Sequence, residues 1–254
     1  MLPKEFKPKG LFDLVRVGKD NDGGYLICKK SLKETEYLLS FGISDDFSFE
    51  ENFKRINNIK IISFDPTVSN FFFIKKIIKN LEKLNFKIFC HNIINFTKFK
   101  KFFDNKNNIL IKKKIGKGGS LSHEHIEFNE IIKLTNDSSS IFLKIDIEGS
   151  EYRILDDIIN NNKIIKGIAI EFHDVDLHID KIINFINKIN LPLVHVHPNN
   201  YSMYGKDEIA SCLEMTFSKN PELINNEVTF PHNLDQKNNP DADDLKIHFK
   251  VENH

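Results

Sequence analysis

The stretch 143-LKIDIEGSEY-152 ends an apolar run with two carboxylates, Asp146 and Glu148. Residues two apart on a strand face the same side, so the spacing predicts paired acids where a buried strand emerges. Like charges held that close cost energy unless another group uses them. Other strand-like runs end in the same kind of residue. Gly42 to Asp46 close SFGISDD, Asp65 closes KIISFDP, and His91 with Asn92 closes FKIFCHN. Glu171 and His173 close IAIEFH, and His195 and His197 alternate in LVHVHP. Ligands of open α/β sheets bind outside the carboxyl ends of the strands. Acids and imidazoles gathered at those ends therefore predict a binding edge.

Gly42 at a strand end lets a ligand approach the backbone closely, although the segment is not the GxGxxG of dinucleotide sites. The same residues also suit a tight turn with Asp45 or Asp46 capping a helix. Asp65 lies where an acid accepts hydrogen bonds from a ribose diol, and Asp65-Pro66 also reads as an ordinary turn. Together, Gly42 and Asp65 without a phosphate cradle suit an adenosine ligand. Asn199, Asn200 and Tyr201 follow Pro198 and suit hydrogen bonds to a polyhydroxylated ligand, or a solvated turn. His123 and His125 cannot share a helical face and read as surface residues.

The elements that must position these residues alternate along the chain. Strands are expected at 37–43, 60–65, 86–93, 140–146, 166–173, 191–197 and 212–217. Helices are expected at 47–56, 70–84, 123–134, 150–159 and 176–189. Short, nearly all-apolar strands alternating with helices indicate a doubly wound α/β sheet covered on both faces. The segment LVRVGKDNDGGYLICKK reads as two strands around a Gly-Gly turn, and RVGKDNDGGY (16–25) suits either a fold over the binding mouth or an ordinary hairpin. Residues 96–122 read as a helix, a strand (NILIKKKI) and the loop GKGGSLS. The tail reads as an irregular wrap ending in a strand, LKIHFKV. One domain covers 1–254: an N-terminal cap (1–36), a core (37–219) and a C-terminal wrap (220–254).

Composition narrows the function classes. Lys plus Arg and Asp plus Glu both number 36, so the formal net charge is zero. That balance gives no global argument for nucleic acid or an anionic surface, though a local patch can hide within it. Cys28, Cys90 and Cys212 lack CxxC spacing and read as cytosolic thiols. No apolar run approaches the roughly 20 residues of a membrane span. The reading is a cytoplasmic protein with a small-molecule ligand, with a homo-oligomer left open.

FKIFCHN, GGSLS, LKIDIEGSEYRIL and IEFH resemble, in order, the later motifs of FkbM-type S-adenosylmethionine-dependent methyltransferases. The resemblance runs from about Arg16 to Phe217 and is most specific at DIEGSE. SFGISDD departs from that family's Asp/Glu-x-Gly-x-x-x-Gly loop. The resemblance implies a class I methyltransferase (Rossmann-like) fold, a seven-stranded, mostly parallel sheet whose last strand is antiparallel. It also implies S-adenosylmethionine as cofactor and methyl transfer to oxygen, here a carbohydrate hydroxyl on a nucleotide-activated sugar or glycan precursor.

By the same resemblance, Phe41, Gly42 and Ile43 line the methionine end and Asp65 holds the ribose. His91, Asn92 and Ile93 flank the adenine, Ser120 and Leu121 cap the site, and Asp146 and Glu148 form the floor. A sugar hydroxyl needs a general base, a divalent metal, or both. His173, beyond Glu171, is the first choice for base. Asp146, His173, His197 and Glu214 are the metal alternative, a mixed set suited to Mn, Fe or Zn, with Mg better served by carboxylates. Glu171, His197, Asn199, Asn200 and Tyr201 are the expected acceptor contacts. Rival readings are a same-fold methyltransferase with a nitrogen, lipid or polyketide acceptor, and a non-catalytic binding module.

Overall fold

The computed structural model describes residues 1–82, 86–116, 124–136 and 140–250. The chain opens with β1 (Leu11–Phe12), β2 (Leu14–Val17) and β3 (Tyr25–Cys28). As expected, β2 and β3 pair antiparallel around Gly23-Gly24. After α1 (Lys29–Lys33) come β4 (Tyr37–Phe41), α2 (Ser48–Ile56) and β5 (Lys60–Phe64). Then follow α3 (Asn70–Glu82), α4 (Phe86–Phe103), β6 (Asn108–Ile111), β7 (Lys114–Ile115), β8 (His125–Ile126) and α5 (Phe128–Lys133). The second half contains β9 (Ile141–Ile145), α6 (Leu155–Asn160), β10 (Ile165–Phe172), α7 (Val175–Lys188), β11 (Leu193–Pro198), β12 (Leu213–Ser218) and β13 (Leu223–Asn225).

Seven of these strands form one sheet in the order β11-β12-β10-β9-β4-β5-β6. The β4, β5, β6, β9 and β10 neighbours run parallel, and β12 runs antiparallel to both β10 and β11. This is the α/β, seven-stranded, mostly parallel arrangement expected, with the last strand reversed. Every residue of β4 and β9 is buried, because both sheet faces are covered. One face packs on α5, α6 and α7 through residues such as Ile131, Ile158 and Phe185. The other packs on β3 and α2 through Tyr25, Phe49 and Phe53.

Strand order reverses between β4 and β9, which places the binding crevice at their carboxyl ends. Register makes three of those ends level. Phe41 pairs with Phe64 on one side and Ile145 on the other, so Gly42, Asp65 and Asp146 leave the sheet side by side. The Gly42 N–H donates to Phe64 O at 3.0 Å and the Asp146 N–H to Phe41 O at 2.9 Å.

Four expectations need correction. Residues 86–93 are not a strand but the start of α4, and the third sheet strand is β6 within NILIKKKI. Phe89, Phe96, Phe99 and Phe103 continue with helical spacing, a period that the eight-residue apolar window truncates. The helix expected at 123–134 begins only at Phe128, where Glu127 and Glu130 form a reciprocal capping box, and His125–Ile126 pairs with β7. The helix expected at 150–159 starts as a 3-10 turn over Glu151–Arg153. In the tail, the described residues of LKIHFKV make only an isolated bridge, Phe249 with Leu2, and the tail strand is β13 against β1.

Candidate active site

A cleft of about 690 Å³ opens at the predicted edge, lined by Gly42 to Asp46, Asp65 to Thr67 and Asp146 to Glu148. Lys19, Asp22 and Gly23 of the β2–β3 turn line it too, so the N-terminal hairpin does reach the mouth. Lys19 pairs with Asp46 at 2.7 Å and holds it there.

Gly42 is required at its position. Its φ is +77°, and a Cβ there would run into the carbonyl oxygen of Asp146. Asp65 stabilises the loop that follows. Oδ2 accepts the N–H groups of Ile43 at 3.0 Å and Ser44 at 2.8 Å. Oδ1 accepts the Thr67 N–H at 2.7 Å and hydroxyl at 2.6 Å. A carboxylate offers about four lone-pair sites, and all four are engaged within the chain. Burial alone would raise the Asp65 pKa, but these hydrogen bonds outweigh it and hold the group below the usual carboxylate range.

Asp146 and Glu148 leave β9 differently from a plain strand. The strand ends at Ile145, and Glu148 sits in the left-handed region at φ +53°, followed by Gly149 at +88°. The turn exposes the Glu148 side chain (86%) while Asp146 stays half-buried. Lys144, itself buried, donates to Gly42 O at 2.5 Å and lies 3.2 Å from Asp146 Oδ2. Burial lowers the Lys144 pKa, but Asp146 and Glu50 overcome this and raise it. Lys144 is therefore the counter-charge that lets an acid sit at the sheet edge.

His173 is held from behind. Its Nδ1 lies 3.1 Å from Glu151 Oε1, and Nε2 lies 3.5 Å from Glu148 Oε2 and 4.0 Å from Glu171 Oε1. Glu151 is fully buried, and the same oxygen accepts the N–H groups of Ile147 at 3.1 Å and Gly149 at 3.2 Å. A carboxylate only accepts, so it fixes the Nδ1–H tautomer and turns Nε2 toward Glu148 at the cleft. Burial lowers the His173 pKa, yet the Glu151 hydrogen bond and charge, with Glu171 and Asp146, raise it to about 9. At that value the imidazole is protonated at neutral pH.

Glu171 is buried beside this group. It accepts from Tyr25 Oη at 3.1 Å, Asn199 Nδ2 at 2.8 Å and Cys212 Sγ at 2.8 Å. Burial and Asp146 raise its pKa, against lowering by Cys212, His173 and Asn199. Tyr25 also reaches Asp146 at 3.4 Å, tying the N-terminal hairpin to the site acids.

The structure separates several residues that the sequence grouped. His197 pairs with Glu214, and Glu214 with Glu171, in the sheet register. With strands ~4.8 Å apart, three strand steps put Asp146 ~14 Å from His197, too far to share one ion. The four-residue metal set of Asp146, His173, His197 and Glu214 is therefore not assembled. His197 Nδ1 instead lies 3.5 Å from Asp235 of the tail, an ion pair rather than a well-formed hydrogen bond. Glu214 accepts from Asn238 at 2.6 Å.

His91, Asn92 and Ile93 lie on α4, and none lines the cleft. Phe41 is fully buried in the core beneath it. Asn199 and Asn200 are buried with chain partners, Asn200 bonding Asn239, whereas Tyr201 is exposed. Ser120, Leu121 and His123 lie outside the described residues. His125 was read as a surface residue but lines the cleft.

Lys144, Glu151, Tyr25 and Cys212 were missed. A lysine inside the apolar run IFLKI was a legible signal, since an unpaired buried charge is not tolerated. Glu151 lay within the quoted motif. Nothing local marks Tyr25, which meets Asp146 across 121 positions.

No family model matches the chain, and no curated protein does. Among solved structures, it is similar to the precorrin-6y C5,15-methyltransferase of Geobacter metallireducens GS-15. Identity is 12% and the TM-score 0.37, over 75% of this chain and 85% of that one. It is also similar to the fibrillarin/Nop5p complex, at 8% identity and TM-score 0.36 over 73% of each chain. At these values neither likeness carries an argument about chemistry.

Proposed function

We propose that the chain is an S-adenosylmethionine-dependent methyltransferase that transfers the methyl group to an oxygen, with a carbohydrate hydroxyl as acceptor. The observation that carries this reading is the level row Gly42–Asp65–Asp146 at the strand-order reversal, with Glu148 and His173 beside it. The acceptor class rests on the FkbM-type resemblance of the DIEGSE block.

S-adenosylmethionine would supply an electrophilic methyl on a sulfonium. The chain would cradle it over the close-packed Gly42–Ser44 backbone, with Asp65 holding that loop in shape. The acids Asp146 and Glu148 favour a cation in front of them. Once deprotonated, His173 presents Nε2 beside Glu148 and can take the acceptor hydroxyl proton, while Glu151 stabilises the imidazolium formed.

A second reading has a specific observation behind it. Single donor atoms of Asp146, Glu148 and His173 lie within 4.8 Å of one another, a mixed carboxylate–imidazole set that fits a divalent cation. Bound there, such an ion would lower the pKa of an acceptor hydroxyl.

Thermal melting with S-adenosylhomocysteine tests the cofactor, and no stabilisation at saturating ligand would defeat the reading. Mass-detected methyl transfer to nucleotide sugars tests the acceptor. His173→Ala is expected to lower turnover ~10²-fold or more with that melting shift retained. Elemental analysis of purified protein, with activity in chelator, decides the metal.

A further inference from the structure

Helices α3 and α4 pack on each other through Phe73, whose ring lies 4.9 Å from those of Phe96 and Phe99. Their inner faces are thereby filled, yet each carries a second apolar set facing outward. On α3, Phe71, Ile74 and Ile78 fall at i, i+3 and i+7, one helix face, and are 72%, 45% and 49% exposed. On α4, Phe86 and Ile94 are 62% and 55% exposed.

The same surface is basic. The two helices carry seven lysines and one acid, Glu82, in a chain whose net charge is zero. Lys75, Lys79, Lys87, Lys98 and Lys101 are exposed, and among the described residues none has an ion-pair partner. Lys87, Lys98 and Lys101 lie seven, four and seven positions from Ile94, so lysine and isoleucine share the outward face of α4.

We propose that α3 and α4 form a docking face for the surface of an anionic phospholipid bilayer. Exposed isoleucine and phenylalanine suit the acyl boundary, and a ring of unpaired lysines suits anionic headgroups. A second copy of the chain fits less well, because a two-fold contact would set two lysine-rich faces against each other. Nucleic acid would satisfy the lysines but leave the isoleucines against phosphates. No described helix is long and apolar enough to cross a membrane, so the contact is peripheral. The face is also joined to the cleft: Lys76 pairs with Asp45, and Asn95 Nδ2 donates to Asp45 O at 2.9 Å. Docking would hold the cleft mouth at the bilayer. This inference does not depend on the methyl-transfer reading.

Sedimentation of the full chain with phosphatidylcholine vesicles, with and without phosphatidylserine, tests it. The chain should pellet with phosphatidylserine vesicles, and added salt should release it. Each of Lys75→Ala, Lys79→Ala and Lys98→Ala should lower partitioning about fivefold, from ~1 kcal/mol per lysine. Ile74→Asp and Ile78→Asp should abolish pelleting while the circular-dichroism melt is unchanged, since both side chains face solvent. Absence of pelleting, or pelleting insensitive to these changes, would overturn the proposal. So would a concentration-dependent dimer that Ile78→Asp dissociates, which would assign the face to a second copy.

Discussion

At the scale of single residues, Glu151 organises the site from behind the cleft. One buried oxygen gathers two backbone N–H groups and His173, while its other oxygen has no partner among the described residues. Glu151→Ala is expected to cost ~3–5 kcal/mol in denaturant unfolding, because it strands a partly buried imidazolium and two donors. Its effect on the pH profile is separate. A base whose conjugate acid has a pKa of about 9 is active only when deprotonated, so metal-free turnover should rise with pH until about 9. In Glu151→Gln that limb should move to lower pH, since the raising charge is gone, and in His173→Ala it should vanish. Gly42→Ala combines a left-handed φ with a collision at Asp146 O, and is expected to cost at least ~3 kcal/mol and to abolish any S-adenosylhomocysteine melting shift.

At the scale of elements, the tail behaves as a strap over the β11–β12 edge. His195 Nε2 lies 2.8 Å from Asp235 Oδ1, Asn238 donates to Glu214, and the Asn21 N–H donates to Gln236 at 2.8 Å. Burial lowers the His197 pKa, but Asp235 and Glu214 raise it to about 9. Burial raises Glu214 to about 8, against lowering by His197 and Asn238. Both folded values exceed the ordinary ones, so both contributions are complete below the unfolded pKa and are lost as pH rises through the folded value. For His197 that window runs from about 6.5 to about 9, and for Glu214 from about 4.5 to about 8. Asp235 is opposite in sign: burial would raise it, but both histidines hold it well below its usual range, so its contribution is lost only in strong acid. Limited proteolysis of residues 232–243 should therefore be slower at pH 6.5 than at pH 9. Asp235→Asn should remove most of that difference.

At the scale of the molecule, a zero net charge conceals a basic pair of helices and an acidic remainder. The chain should bind a cation-exchange resin at neutral pH despite its balance, and Lys75→Glu with Lys79→Glu should release it earlier in a salt gradient. The sequence by itself determined the architecture. Apolar strand runs and helical periods are local patterns, and strands were expected over all seven that form the sheet, β6 within NILIKKKI included, as was the row of strand ends at Gly42, Asp65 and Asp146. The one false strand was 86–93, where a helix face, cut to eight residues, looked like a strand. The DIEGSE block was legible as a candidate site, but the contacts among its residues were not. Lys144, two positions before Asp146, was legible as its counter-charge, but only the tertiary structure decided that Glu151 holds His173 and that His197 belongs to the tail. Those two pairings join residues tens of positions apart and depend on how the elements pack, and burial sets their charge states. No local spacing encodes either.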